Sequence, residues 1–338
     1  MVTLRQDGRW HARGDVIDLR KVGFVPMMAD IQPAGIIHQM SIDLTVDPGE
    51  QRIDTVSVDQ PVVAIEPSAA SGGECCRDPA PRLLALAGEH LDGDFAKRLG
   101  GVFGGPRGCS HLLTLFQLMA SGLQRALSLE AELGEGAAAR SRGDRLFRRS
   151  AFVEGFEGED EAIEMAVQLA DFHTRPVGPG AAPLSRLARQ SDVRVFARVR
   201  GSERTLDDLR IADRERSGET LGTAAWRDGS DRVASLAGTP LIPGLARRLF
   251  DLFGAPEDRM LLDAGLQLAP GYIQVMAAAM DRWLVQASRG ESERRPEMRG
   301  PARVETDAIG GMPDSCYMWR SDGPMAGVRS APPEEDPG

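Results

Sequence analysis

The sequence predicts an α+β fold built by tandem duplication, with antiparallel strands followed by helices in each copy and a pseudo-twofold relation between the copies. Three observations predict it. The stretch RDPAPRLLALAG…GLQ at 77–124 lies without gaps on RDGSDRVASLAG…YIQ at 227–274, with 17 identical residues in 48 positions. These include polar, Gly and Pro positions such as Arg98/Arg248, Gly104/Gly254, Pro106/Pro256 and Gln124/Gln274, so shared apolar composition does not explain them. Upstream, HQMSIDLTVDPGEQRIDTVSVD pairs with SDVRVFARVRGSERTLDDLRIA at a shift of 153 residues, each reading as two alternating strands about a polar, Gly-containing turn. In both halves the strands come first and the helices after, the order of a sheet with helices segregated to one face.

Taken along the chain, QDG near the start and EGED near 157 are polar turns suited to hairpins. DVIDLR then matches VQLADFH and sets Asp18 opposite Asp171. The segments after each hairpin read as two or three helices. LIPGLARRLFDLF is a core helix with a basic outer face, and LAPGYIQVMAAAMDRWLV is a long helix carrying Met276, Met280 and Trp283. The first copy spans 1–134 and the second 145–290, joined by GEGAAARSRGD ending at Asp144. A charged, Pro-rich tail covers 291–338. Inside that tail DSCYMWR is an apolar island, suited to docking in a groove of its own chain or of a neighbour.

The 338 residues carry a net charge of -10, which disfavours nucleic acid and anionic membrane as partners. No run reaches 18 apolar residues, and the polar start lacks the apolar stretch of a signal peptide. Cys75, Cys76, Cys109 and Cys316 form no C-x-x-C pair and no disulfide framework, which points to a reduced, cytoplasmic setting. The expected partner is a small molecule, and a homo-oligomer is compatible with the sequence.

Three stretches of the first half, GIIHQMSIDLTVDP, CCRDPAPRLLALAG and GGPRGCSHLLTLF, resemble the bacterial family catalogued as domain of unknown function 2889. The resemblance covers about residues 10–128, and its Gly-Cys-x-His-Leu piece is the most specific part. The second half departs from the pattern: Arg259 stands at the place of Cys109, Leu261 at that of His111 and Trp226 at that of Cys76, and His38 falls near Ser191. A single unit is typical of such proteins, so two in one chain is a further departure. The resemblance implies bacterial catabolism, including that of lignin-derived aromatics. There a cofactor-free lyase would release formaldehyde from a hydroxymethyl side chain.

Chemistry-bearing residues are concentrated in the first copy. His38 stands just before a strand, and Cys109 and His111 open a helix whose free N–H groups favour an anion or thiolate. The favoured reading is metal-free acid–base catalysis by His111 and His38, each able to exchange a proton near neutrality, with Arg77 or Arg107 steadying an oxyanion. Arg148 and Arg149 are further cations, and Asp18, Asp43 or Asp171 would orient a histidine. No cofactor is needed for this scheme. A second reading places zinc on Cys76, Cys109, His111 and His38. A third makes Cys-x-His a packing motif in a non-enzymatic binding or assembly module. A phosphate loop, a calcium loop and a nucleophile elbow all lack their required spacings.

Overall fold

The computed structural model describes residues 1–275 and 313–326, apart from 28–29, 70, 134–138, 159–161, 179, 201–203, 219 and 243, and describes 22–33 by backbone alone. The frame is set by strands that alternate apolar and polar side chains.

 Strands β1 (Val2–Leu4), β2 (Trp10–Met27), β3 (Asp30–Asp47), β4 (Arg52–Val62), β5 (Arg145–Glu157), β6 (Ile163–Thr174), β7 (Leu187–Arg200), β8 (Thr205–Arg216) and β9 (Arg227–Asp228) form one antiparallel sheet. Its order is β4-β3-β2-β1-β5-β6-β7-β8-β9, so the fold is α+β as expected. The three-residue β1 sits at the middle. Val2 pairs with Ala12 of β2 on one side and Phe147 of β5 on the other.

One face of the sheet carries the core. In β3 the alternate residues Met40, Ile42, Leu44 and Val46 are buried, and in β6 Ile163, Met165, Val167 and Leu169 are. Helices α1 (Phe95–Phe103), α2 (Ser110–Glu132), α3 (Ser230–Val233), α4 (Leu245–Phe253) and α5 (Arg259–Gly265) cover that face. Helix α1 buries Phe95, Leu99 and Phe103, and α4 buries Leu245, Leu249 and Phe253, each set at a four-residue spacing that keeps one stripe inward. The buried residues separate into two apolar cores, one from Val2 to Phe147 and one from Ile163 to Tyr272.

The two halves repeat small details as well as elements. Ile53 N donates to Glu89 O and Gly88 N to Ile53 O; correspondingly, Leu206 N donates to Thr239 O and Gly238 N to Leu206 O. Gln51 and Arg204 both take positive φ, as do Gly88 and Gly238. Asp18 pairs across the strands with His38, and Asp171 pairs with Ser191.

Two features refine the sequence reading. The β2–β3 hairpin is long enough that His38 lies inside a strand rather than before one, because pairing continues past Gly35 to Met27 and Asp30. The island of the tail docks on its own chain. Met318, Trp319 and Met325 are buried against Ile65, Tyr317 N donates to Gly108 O at 2.8 Å, and Arg320 pairs with Glu74 at 2.6 Å. Met276, Met280, Trp283 and part of the linker lie outside the described residues, as do residues 159–160 of the EGED turn.

A polar cluster ties α2 to β6. His173 Nε2 lies 2.6 Å from Glu130 Oε1, and Arg140 also pairs with Glu130. Burial works against the Glu130 charge, but hydrogen bonds from His173 and Arg140 hold its pKa below the usual carboxylate value. A depressed pKa contributes stability above the unfolded value and loses it as pH falls through the folded one. We expect Glu130→Gln to cost about 1–3 kcal/mol at neutral pH. The gap from wild type should close below about pH 4, as denaturant titrations across pH would measure. For the docked tail, Met325→Ala should lower stability by about 2–5 kcal/mol in the same assay, since Met325 is fully buried.

Candidate functional site

The first-half histidines meet beside a local irregularity of the sheet. Asp18 is opposite His38, but the next pair is Leu19 with Ile36, so Ile37 is an extra residue on β3. Such a bulge turns two consecutive side chains to one face. Ile37 and His38 are both buried, while Leu19 and Ile36 stay exposed. His38 keeps the inward alternation of Met40 and Ile42 and faces Asp18, its partner across the strands, with Nδ1 3.1 Å from Asp18 Oδ2.

The third member comes from the helix layer. Gly105 to Arg107 form a tight turn, and Cys109 is the residue that precedes α2. His111, in the first turn of α2, places Nε2 3.3 Å from the same Asp18 oxygen. The two imidazole rings lie 4.1 Å apart, centroid to centroid, tilted by 35°. The Cys109 thiol lies beside His111 and 3.9 Å from the Met40 sulfur. Gly108 permits the approach: a Cβ there would lie 2.1 Å from the Phe103 carbonyl oxygen and 2.5 Å from its ring. The tail hydrogen bond from Tyr317 to Gly108 holds the same turn from outside.

The electrostatics follow from this packing. Burial would raise the Asp18 pKa, but His111 and His38 hold it far below the ordinary carboxylate range. Burial and the neighbouring His111 push His38 down, against the Asp18 hydrogen bond. Burial also opposes a charge on His111, yet Asp18 and Cys109 carry its pKa well above the ordinary value. Burial raises the Cys109 thiol, and His111 more than reverses that rise. The shared carboxylate and the packing therefore set the two imidazoles apart, with the proton favoured on His111 and disfavoured on His38. Two imidazoles whose environments split their proton affinities suit a donor and an acceptor.

The other sequence candidates have different settings. Arg77 pairs with Glu66 and donates to Gln60 O at 2.9 Å, and Arg107 donates to Gly100 O at 2.9 Å. Both support loops, and neither hydrogen-bonds the cluster. Asp43 accepts from His11 and Arg13, and Arg148 donates to Ser150. Burial pushes the Cys76 thiol far up, which keeps it protonated. Among the described residues, the His, Cys, Asp and Glu ligand atoms that converge within 4.8 Å are those of Asp18, His38 and His111; Cys76 and Cys109 are outside that set. Asp18, considered in the sequence only as an orienting carboxylate, is the group that both histidines share.

The second half uses the matching places differently. Asp171 binds Arg149 at 2.7 Å, and Arg149 also binds Asp263 at 2.8 Å. Asp192 binds Arg214 and Arg216, each at 2.9 Å. Trp226 stacks with Arg194 and Arg214, each 4.3 Å from its ring centre. A guanidinium keeps its proton throughout the physiological range, so these pairs neutralise buried charge without proton exchange.

Residues 1–124 match the model of a family described as a protein of unknown function, DUF2889. That span contains Asp18, His38 and His111 together. No curated protein and no solved structure matches the chain.

Gly108→Ala should displace the start of α2 and cost more than about 2 kcal/mol, because backbone and ring must both move. Thermal unfolding checks the stability, and histidine NMR shifts check the movement of His111.

Proposed function

We propose that the chain is a small-molecule enzyme whose reacting centre is the buried Asp18–His38–His111 cluster. The observation that carries this reading is the convergence of two imidazoles on one carboxylate oxygen, from a bulged strand and a helix start. Packing alone does not require two histidines against one buried charge; in the second half a single arginine satisfies Asp171.

The reaction class we favour is carbon–carbon cleavage of the retro-aldol type on a lignin-derived aromatic compound. A base takes the proton of a hydroxymethyl hydroxyl. The carbon–carbon bond breaks, its electron pair stays on the aromatic side, and formaldehyde leaves. An acid then returns a proton to that carbon. His38 suits the first role and His111 the second. A cytoplasmic location accompanies this reading.

We also propose that the two halves arose by tandem duplication about a pseudo-twofold relation, centred where β1 meets β5. The repeated strand order, the hydrogen bonds of Ile53 and Leu206, and helices α1 and α4 offset by 150 residues support it. In this reading the first copy kept the histidines and the second became scaffold.

The test is incubation of the full chain with aromatic hydroxymethyl compounds, with formaldehyde as the measured product. Formaldehyde should form, and His111→Ala or His38→Ala should slow it by about 100-fold or more in protein that thermal unfolding shows to be folded at the assay temperature. Formaldehyde release at the wild-type rate in both variants would sink the assignment of the centre. No release from any compound of this class would sink the lyase.

A further inference from the structure

We propose that Asp18 Oδ2, His38 Nδ1 and His111 Nε2 are three ligands of one divalent metal ion, with zinc as the best fit. This rests on the reading of the cluster as the reacting centre and names what that centre holds.

The first argument is the set of spacings. In a tetrahedral zinc site the nitrogen and oxygen ligands stand about 2.0–2.2 Å from the metal, which separates neighbouring ligand atoms by about 3.3 Å. The two edges measured here are 3.1 and 3.3 Å, and all three atoms fall within 4.8 Å of one another.

The second argument is direction. His111 Nε2 is shielded from solvent and has no aligned hydrogen-bond partner, although Asp18 Oδ2 is only 3.3 Å away. A ring nitrogen that hydrogen-bonded this carboxylate would point at the oxygen. A nitrogen that shares a metal with it points between the ligands. A buried polar atom left in that state is costly unless something else satisfies it.

The third argument is the donor set. Two imidazoles and one carboxylate suit zinc, and also ferrous iron, and three protein ligands leave a position open for substrate. This set differs from the Cys76, Cys109, His111 and His38 set of the sequence reading: a carboxylate takes the place of both thiols. As ligands through these nitrogens the imidazoles give their lone pairs to the ion and no longer serve as the base and acid of the metal-free scheme; the ion itself would lower the cost of losing a hydroxyl proton at the open position.

The experiment strips the full chain with a chelator, desalts it, and titrates it with zinc chloride by calorimetry. Plasma mass spectrometry of the reloaded protein gives the stoichiometry, and a parallel cobalt(II) titration gives the visible absorption of the bound ion. About one zinc per chain is expected. Asp18→Asn and His38→Ala should each weaken binding by more than about 100-fold, beyond the cost of losing an outer-sphere partner. Asp18→Asn preserves the size of the side chain and serves if a histidine variant does not fold. No bound zinc or cobalt, or unchanged affinity in folded Asp18→Asn, overturns the proposal. One ferrous ion per chain in place of zinc overturns the zinc assignment. Formaldehyde release by stripped protein would reject the metal's role and keep the lyase. Zinc bound by these residues without formaldehyde release would keep the metal site and reject the lyase.

Discussion

A carboxylate largely withdrawn from water must be compensated, and the partial burial of Asp18 imposes that demand on the first half of the molecule. Its compensation comes from two side chains on separate elements, so both elements must be held to a fraction of an ångström. His38 continues the inward-facing alternation of Met40, Ile42 and Leu44, and the β-bulge at Ile37 begins just beyond it. The Gly105–Arg107 turn and Gly108 bring α2 close enough for His111 to reach the same oxygen. The docked segment at 313–326 braces that turn through Tyr317 and anchors itself by Met318, Trp319 and Met325. Removing any of these supports leaves a buried charge with fewer partners.

The contrast between the halves separates chemistry from architecture. Each withdraws a carboxylate from water at the same register position, Asp18 opposite His38 and Asp171 opposite Ser191. In the second half Arg149 neutralises Asp171, and that pair has no proton to exchange near neutrality. In the first half the neutralising groups are imidazoles, which can exchange protons or bind metal. The same demand is therefore met by fixed charges in one half and by titratable imidazoles in the other. Trp226, at the place of Cys76, fits this pattern, since it is stacked with Arg194 and Arg214.

Much of the fold was legible in the residues. The spacing of Phe95, Leu99 and Phe103, repeated by Leu245, Leu249 and Phe253, marks one apolar stripe on each helix, and alternation in β3 and β6 marks strands buried on one face. Local periodicity of this kind is carried by neighbouring residues, so it survives without any tertiary information. The absence of counterparts to His38, Cys109 and His111 at the aligned places of the second half was also visible, and it directed attention to the first.

What the sequence determined by itself was the element types, their repeated order and the pair of histidines. Their meeting point was decided by tertiary structure. Asp18, His38 and His111 lie 20 and 73 residues apart in successive steps, and no local spacing relates them. Alternation continued from Met40 aims His38 inward, but it cannot reveal which residues of β2 and α2 stand opposite, because that register is set by the neighbouring elements. The tail is similar: its apolar residues were legible, but their place beside Gly108 depended on a groove formed by residues more than 200 positions earlier. Periodicity is a property of one segment, whereas a site is a property of several segments brought to one point by the packing of the whole chain.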